Sequence, residues 1–228
     1  MYSYQWYSTQ MTSPVKSSRR YDSPHRRAQA ARTSRDIVEA AGRLFLEHGY
    51  AGTTMASIAA EAGVVVETVY RAFNGKASLF GAVVEAALAG GAERAERPVE
   101  QRPVIAALIA ETDPRRQVDL YASTQPGIHR RAGPLLRALR DARALDPELA
   151  TIWDDLEASR RARQGRFAEL LASRGLLRPG LSADEAGDIV WTLCSLAVHD
   201  LLVLERRWPM KRYGEWLAAT LARQLLAG

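Results

Sequence analysis

The sequence is poor in cysteine and has no long apolar run. Cys194 is the single cysteine among 228 residues, so no internal disulfide can form, and this usage is typical of a reducing cytoplasm. No apolar stretch approaches the roughly 18 residues of a membrane span, and the polar N-terminus has no signal-peptide segment. These absences predict a cytoplasmic protein that does not contact a membrane.

Patterns of catalysis and metal binding are missing as well. The chain has no GxSxG, no glycine-rich phosphate loop, no HExxH and no paired cysteines. His199 and Asp200 are neighbours on a predicted helix and are expected to point in different directions, which suits neither a dyad nor a metal pair. The acids and arginines from Asp154 to Arg163 indicate a solvated helix face. The sequence therefore predicts no enzyme activity, no cofactor and no metal site.

Alternation of the β type and internal repeats are also absent, so the whole chain is predicted to be α-helical. Pro126 and Pro134 are expected at helix boundaries, because a proline inside a helix removes a hydrogen bond. The predicted helices cover about 34–48, 55–62, 66–72, 76–93, 103–112, 115–124, 133–144, 147–173, 182–206 and 211–227.

Positive charge is concentrated at the N-terminus. Residues 1–35 contain seven Lys or Arg and one acid, a net charge of +6, while the whole chain carries +5, so the other 193 residues carry −1. Residues 1–32 show no periodic apolar face and are predicted to be a disordered basic arm. Two interpretations of Arg19 to Arg32 stay open: an arm along the DNA backbone or minor groove, or a solubilising tail.

The most informative stretch runs from Thr53 to Phe80 and predicts two short helices joined by a tight turn, followed by a third. Thr53 and Thr54 are cap-type residues for the first helix, and Gly63 can adopt the positive φ of a sharp turn. Val69, on the second helix, is predicted to face the protein core. A helix–turn–helix packs its first helix across its second, which is then free to enter the major groove of DNA.

This stretch resembles the DNA-binding domain of the tetracycline-repressor (TetR) family. The residues that carry the resemblance lie between Ala41 and Leu79: Phe45, Gly49, Tyr50, Thr53, Thr54, Ile58, Ala59, Ala62, Gly63, Val64, Thr68, Val69, Tyr70, Phe73, Lys76 and Leu79. The resemblance implies an all-α protein with a three-helix DNA-binding domain at 33–80. A larger helical domain for effector binding and dimerisation would follow at 81–228.

By the same resemblance, the third helix is the recognition helix, and the candidate DNA-binding residues are Thr54, Val65, Val66, Glu67, Thr68, Tyr70, Arg71 and Lys76. Thr54, Tyr70 and Lys76 are expected to bind phosphates, whereas Thr68 and Arg71 could bind either phosphates or base edges.

Two of the candidate residues depart from the family pattern. Val65 stands where the family often has a capping Ser or Thr. Glu67 places a carboxylate in the first turn of the helix, where it suits the helix dipole but repels phosphates unless it accepts from a cytosine amino group.

The resemblance further implies a homodimer formed through the last two helices, a near-palindromic operator and an unknown small-molecule effector. Candidate effector contacts are polar or aromatic groups on apolar helical faces: Tyr121, His129, Trp153, Phe167, Trp191, Cys194 and His199. Two alternatives remain. One is a DNA-binding regulator of the same fold without a small-molecule effector, which a filled core would favour. The other is a helical enzyme or ligand carrier that keeps only the N-terminal unit.

Overall fold

The computed structural model describes residues 24–144 and 146–227, and this part of the chain is almost entirely helical, without a β-strand. The helices are α1 (Pro24–Gly52), α2 (Met55–Glu61), α3 (Val66–Ala72), α4 (Lys76–Ala89), α5 (Ala92–Ala95), α6 (Pro103–Ala110), α7 (Pro114–Ala142), α8 (Pro147–Ser173), α9 (Ala183–Leu193), α10 (Leu196–His199) and α11 (Met210–Leu225). A π-helix, Asp200–Glu205, continues α10. The all-α prediction is confirmed.

The first helix starts earlier than its capping signals predict. It begins at Pro24 instead of Ser34, so residues 24–32 are helical and the prediction of disorder is wrong for them. The rest of the predicted arm, residues 1–23, lies outside the described residues. Gly49 has φ 70° and ψ 174°, a backbone that an L residue adopts only with strain. It kinks α1 where the sequence predicts that the helix ends.

α1 and α4 pack antiparallel. The carbonyl of Tyr50 accepts from Lys76 at the start of α4, and the rings of Phe45 and Phe80 are 4.7 Å apart. Toward the other end, Arg35 pairs with Glu96 beyond α4 at 3.3 Å. The N-terminal half of α1 therefore extends away from the start of α2 and from the DNA-binding end of the unit.

Two predicted boundaries in the larger region are wrong. α7 is one helix through Pro126 and Pro134, because buried residues continue along one face across both prolines and tertiary packing outweighs the lost hydrogen bonds. The predicted helix 182–206 is broken, since α9 ends at Leu193 and the Ser195 hydroxyl accepts from the Val198 amide to start α10. That serine is a capping signal inside an apolar stretch.

The buried residues form two hydrophobic cores. The first core joins α1–α5 to the end of α7 and the start of α8, through Leu135, Leu139, Leu149 and Leu156. The second core lies among α6, α7, α8, α9 and α11. α7 and α8 form an antiparallel hairpin that runs through both cores, so the boundary predicted at residue 80 does not coincide with a boundary in packing.

Among the described residues no single helix is long and apolar enough to cross a membrane. The pair Ala183–Leu193 and Leu196–Glu205, bent by 42°, reaches that length and apolarity only when its two members are taken together.

Candidate DNA-binding surface and effector core

The helix–turn–helix is held by short-range hydrogen bonds. The Thr54 hydroxyl accepts from the Ser57 amide at 3.0 Å, and the Ser57 hydroxyl accepts from the Thr54 amide at 3.0 Å. This reciprocal cap satisfies two amides that the first turn of α2 leaves free. Gly63 turns the chain with φ 66°, and fully buried Val69 anchors α3 to the first core. These contacts fix α3 on the outside of the unit.

The outer face of α3 is exposed and mixed in chemistry. The Val65 side chain is 65% exposed and the Tyr70 side chain 55%, while Glu67 and Arg71 are exposed and Thr68 is half-buried. Val66 is also half-buried and packs against the first core. Val65 precedes α3 without a side-chain hydrogen bond to the helix. The structure thus brings the six candidate residues of α3 and its cap together, with Val66 turned partly inward.

The Lys76 ammonium makes its contacts within the protein. It donates to the carbonyls of Tyr50 at 2.9 Å and Thr53 at 3.2 Å, and it lies 4.2 Å from the centre of the Tyr50 ring. These bonds cap the end of α1, where carbonyls have no helical partner. Thr54 is likewise occupied by its cap. Phosphate binding by Thr54 or Lys76 stays a prediction. The hydrogen bonds of the Lys76 ammonium within the protein are a structural role that the sequence did not indicate.

The centre of the second core is a packed aromatic pair. The rings of Tyr121 and Phe167 stack with centres 4.1 Å apart and planes 5° apart. Burial raises the pKa of the Tyr121 phenol far above its usual range, against the lowering effect of a hydrogen bond with Gln164. Burial also raises the pKa of the neighbouring Cys194 thiol to about 12. These groups are therefore neutral at physiological pH, and Cys194 is a poor nucleophile.

A group of buried polar rings lies beside that pair. The hydroxyl of Tyr213 and Nδ1 of His129 are 3.3 Å apart, and the rings of His129 and His199 lie 4.6 Å apart. Burial, and then the charge of His199, lower the pKa of His129 to about 3. A neutral His129 ring satisfies both of its nitrogens, because it also hydrogen-bonds the backbone of Cys194, where α9 ends.

His199 and Asp200 interact, contrary to the prediction. Nδ1 of His199 lies 2.9 Å from Oδ1 of Asp200, and the same oxygen accepts from Arg137 at 2.9 Å. Both residues have ordinary right-handed helical φ and ψ, so the contact comes from the conformations of the two side chains. Nε2 of His199 is buried without a hydrogen-bond partner among the described residues. His199 is thus a candidate effector contact with an unused nitrogen.

Trp191 and Trp153 lie in different places. Trp191 borders the second core, with the guanidinium of Arg160 4.6 Å and that of Arg161 5.2 Å from its ring centre. Trp153 packs against the first core beneath Arg143. The structure therefore does not bring Trp153 together with the other effector candidates, because helical periodicity shows that a face is buried but not which core buries it.

The sequence did not identify some polar residues that lie beside the candidate effector residues. Arg160, assigned to a solvated face, donates to the Trp191 carbonyl at 2.8 Å and pairs with Glu157 at 2.7 Å. Gln164 and Tyr213 are buried beside the predicted residues. A glutamine in an apolar stripe is a signal that could have identified this site, since buried polar groups require partners.

The structure has depressions on its surface, but the candidate effector residues do not line them. One of about 420 Å³ lies between α7 and α11, around Pro126 and Gly214. Another of about 130 Å³ lies between α4 and α8, around Glu85 and Ile152. In this conformation Tyr121, His129, Phe167, Cys194 and His199 are packed against one another or their neighbours.

Comparisons with known proteins agree with this geometry. The family described as bacterial regulatory proteins, tetR family, matches residues 37–83, which extend from α1 into α4 and contain the whole helix–turn–helix. No curated protein matches the sequence. Several solved structures share the fold of almost the whole chain.

A protein from Mesorhizobium loti assigned to the TetR family of transcriptional regulators has a TM-score of 0.65 and 22% identity, covering 87% of this chain and 99% of that one. NalD of Pseudomonas aeruginosa, the secondary repressor of the MexAB-OprM multidrug efflux pump, has a TM-score of 0.63 and 23% identity, covering 86% and 98%. The regulator FadR of Bacillus subtilis, solved with stearoyl-CoA, has a TM-score of 0.62 and 16% identity, covering 82% and 96%.

At these identities the likeness to solved structures establishes the fold. The matched residues, 37–83, form a DNA-binding unit of the tetR family of bacterial regulatory proteins, and the helices that follow share the fold of solved structures assigned to that family.

Proposed function

We propose that this chain is a homodimeric transcriptional repressor that binds a near-palindromic operator through α3 and is released by a small molecule. The observation that carries the proposal is the exposed face of α3 from Val65 to Arg71, held outward by the cap at Thr54 and the buried Val69. Such a face suits a major groove, where Thr68 and Arg71 would read bases and Tyr70 would bind phosphate. A regulator of this kind acts in the cytoplasm, where bacterial DNA lies.

The dimer is proposed through the last two helical segments. Leu201 and Leu204 on the π-helix are each about half exposed, which is unusual for large apolar side chains that follow one another on one segment. A second copy would cover them together with the outer face of α11. Dimers of helix–turn–helix proteins bind half-sites about one turn of DNA apart, roughly 34 Å.

The effector site is proposed in the second core, at Tyr121, His129, Phe167, Trp191, Cys194 and His199. The observation that favours it is the unused nitrogen of His199 among buried polar rings. A ligand that binds there and weakens DNA binding must itself be weakened by DNA to the same degree.

Selection of bound duplexes from a random DNA pool tests the proposal. A near-palindromic consensus is expected. Tyr70→Ala should weaken binding to all sequences and lower the slope of affinity against salt by about one phosphate contact. Thr68→Ala or Arg71→Ala should change the preferred sequence if the residue contacts a base. Unchanged binding in all three variants would refute the assignment of α3 as the recognition helix.

A second candidate is a regulator of the same fold without a small-molecule effector. The close stacking of Tyr121 on Phe167 favours it, because the core is filled in this conformation. Native mass spectrometry of protein purified from its own host distinguishes the two. A bound small molecule that operator DNA displaces supports the first candidate, whereas ligand-free protein that represses in all growth conditions supports the second.

A further inference from the structure

The hairpin of α7 and α8 reaches into the core of the DNA-binding unit. Its tip, residues 135–144 and 146–156, supplies buried side chains to the first core beside those of α1 and α4: Leu135, Leu139, Leu149 and Leu156. The unit that contains α3 is therefore attached in two ways, by the chain through α4 and by packing against the hairpin tip.

The tip approaches α4 closely at Gly81. A Cβ atom at this position of α4 would lie 3.3 Å from Cγ2 of Ile152 on α8. That distance is shorter than ordinary van der Waals contact, so a glycine is what allows the two helices to approach as they do. A side chain at residue 81 would press on Ile152, which must yield by a few tenths of an ångström, either by its own rotation or by a small shift of α4 relative to α8.

A second contact joins the tip to Tyr50, near the end of α1. Asp146 caps α8 by accepting from the Glu148 amide at 2.9 Å, and its carboxylate also faces the hydroxyl of Tyr50. Burial, followed by the charges of Asp146 and Glu148, raises the pKa of Tyr50 to about 12. The carbonyl and ring of Tyr50 hold Lys76, which also bonds the carbonyl preceding Thr54. The tip thus touches Tyr50 at the end of α1, and Tyr50 in turn holds Lys76 at the start of α4.

The same two helices carry the candidate effector residues beyond the tip. α7 bears Tyr121 and His129, and α8 bears Phe167. Ile152 and Phe167 are 15 residues apart on one helix, which is about 22 Å along its axis. A tilt of α8 in the second core therefore moves Ile152 against Gly81 in the first.

We propose that the hairpin tip positions the DNA-binding unit relative to the larger domain, with Asp146 and Ile152 as positioning residues for operator binding. They fix the angle at which each α3 is presented and hence the spacing of half-sites that the dimer accepts. This inference rests on the proposed function, because spacing has meaning only for a dimer that reads two half-sites.

Gly81→Ala tests the inference, with Gly165→Ala on α8 as the matched control, since a Cβ at Gly165 meets nothing within 4 Å. Affinity is measured by fluorescence anisotropy on three duplexes: the operator selected by the wild type, that operator with two base pairs inserted at its centre, and a single half-site. We expect Gly81→Ala to lose about fivefold or more on the operator and less than about twofold on the half-site. Gly165→Ala should match the wild type on all three duplexes.

Asp146→Asn provides a second variant, and it covers the case in which Gly81→Ala does not fold. Asparagine still caps a helix, so α8 is preserved while the charge facing Tyr50 is removed. Asp113→Asn, at the corresponding cap of α7, is its control. The ratio of operator to half-site affinity should fall in Asp146→Asn and stay constant in Asp113→Asn.

The results distinguish failure of the positioning role from failure of the proposed function. A wild-type ratio in both Gly81→Ala and Asp146→Asn, with a consensus selected normally by the wild type, would overturn the positioning role alone. If the wild type selected no sequence, the proposed function would fail and the positioning role with it. If the tip had only a structural role, the two substitutions would lower the stability of the protein and leave the ratio of operator to half-site affinity unchanged.

Discussion

Replacement of Lys76 by methionine separates its structural role from any contact with DNA. Methionine keeps most of the aliphatic stem but loses the hydrogen bonds to the carbonyls of Tyr50 and Thr53 and the cation over the Tyr50 ring. Hydrogen bonds from charged groups contribute about 1.5–3 kcal/mol each in favourable cases. Lys76 is half-buried and one of its bonds is 3.2 Å long, so we expect a total loss of about 2 kcal/mol in the free energy of unfolding.

For a chain of this length, a loss of about 2 kcal/mol lowers the Tm by roughly 4–8 °C. Calorimetry in the absence of DNA measures this change directly. Lys211→Met is the control, because the Lys211 side chain is 87% exposed and lies 3.7 Å from Glu215, a pair that contributes less than about 1 kcal/mol. If the two variants had the same Tm, the assignment of Lys76 as the cap of α1 would be refuted.

Three further predictions follow from buried or strained groups. Because the pKa of His129 is lowered to about 3, below about pH 6.5 the unfolded chain binds a proton that the folded chain does not. Wild-type stability, measured in urea, should therefore fall from pH 7 to pH 5 by about 2 kcal/mol more than that of His129→Gln. Cys194, 3% exposed and with a pKa of about 12, should react with a disulfide reagent at pH 8 only after denaturant is added. In urea unfolding, Gly49→Ala should cost about 1–2 kcal/mol because its φ is 70°, whereas Gly165→Ala, inside a helix with open space, should gain about 0.5–1 kcal/mol.

The helix–turn–helix could be predicted from the sequence because its signals are local. A cap at Thr54, a glycine at position 63 and an apolar residue at position 69 each act within one or two turns, and the structure contains α2 and α3 where these signals place them. The bounds of α3 agree at both ends. Local hydrogen bonding and backbone geometry are therefore sufficient for this unit.

The larger region depends on contacts between distant residues, and its prediction was correspondingly less accurate. Pro126 lies inside α7 on a face that packs against other helices, and its ring is so close to α11 that a Cβ at Gly214 would be 3.1 Å from it. Trp153 and Trp191 have similar helical surroundings in the sequence, but Trp153 packs against the first core whereas the Trp191 ring lies against Arg160 and Arg161. The periodicity of apolar residues shows that one face of a helix is buried, but it does not show which other helices cover that face.

The shared core around the hairpin tip also bears on how freely regulatory domains can be exchanged between proteins. Ile37, Phe45 and Phe80, in the unit that contains α3, belong to the same core as Leu139, Leu149 and Leu156. A chimera that transplants residues 33–80 alone would set them against a foreign hairpin, whereas one that also carries residues 135–156 would keep the native fit. In this chain, the smallest transferable DNA-reading module is therefore discontinuous in sequence.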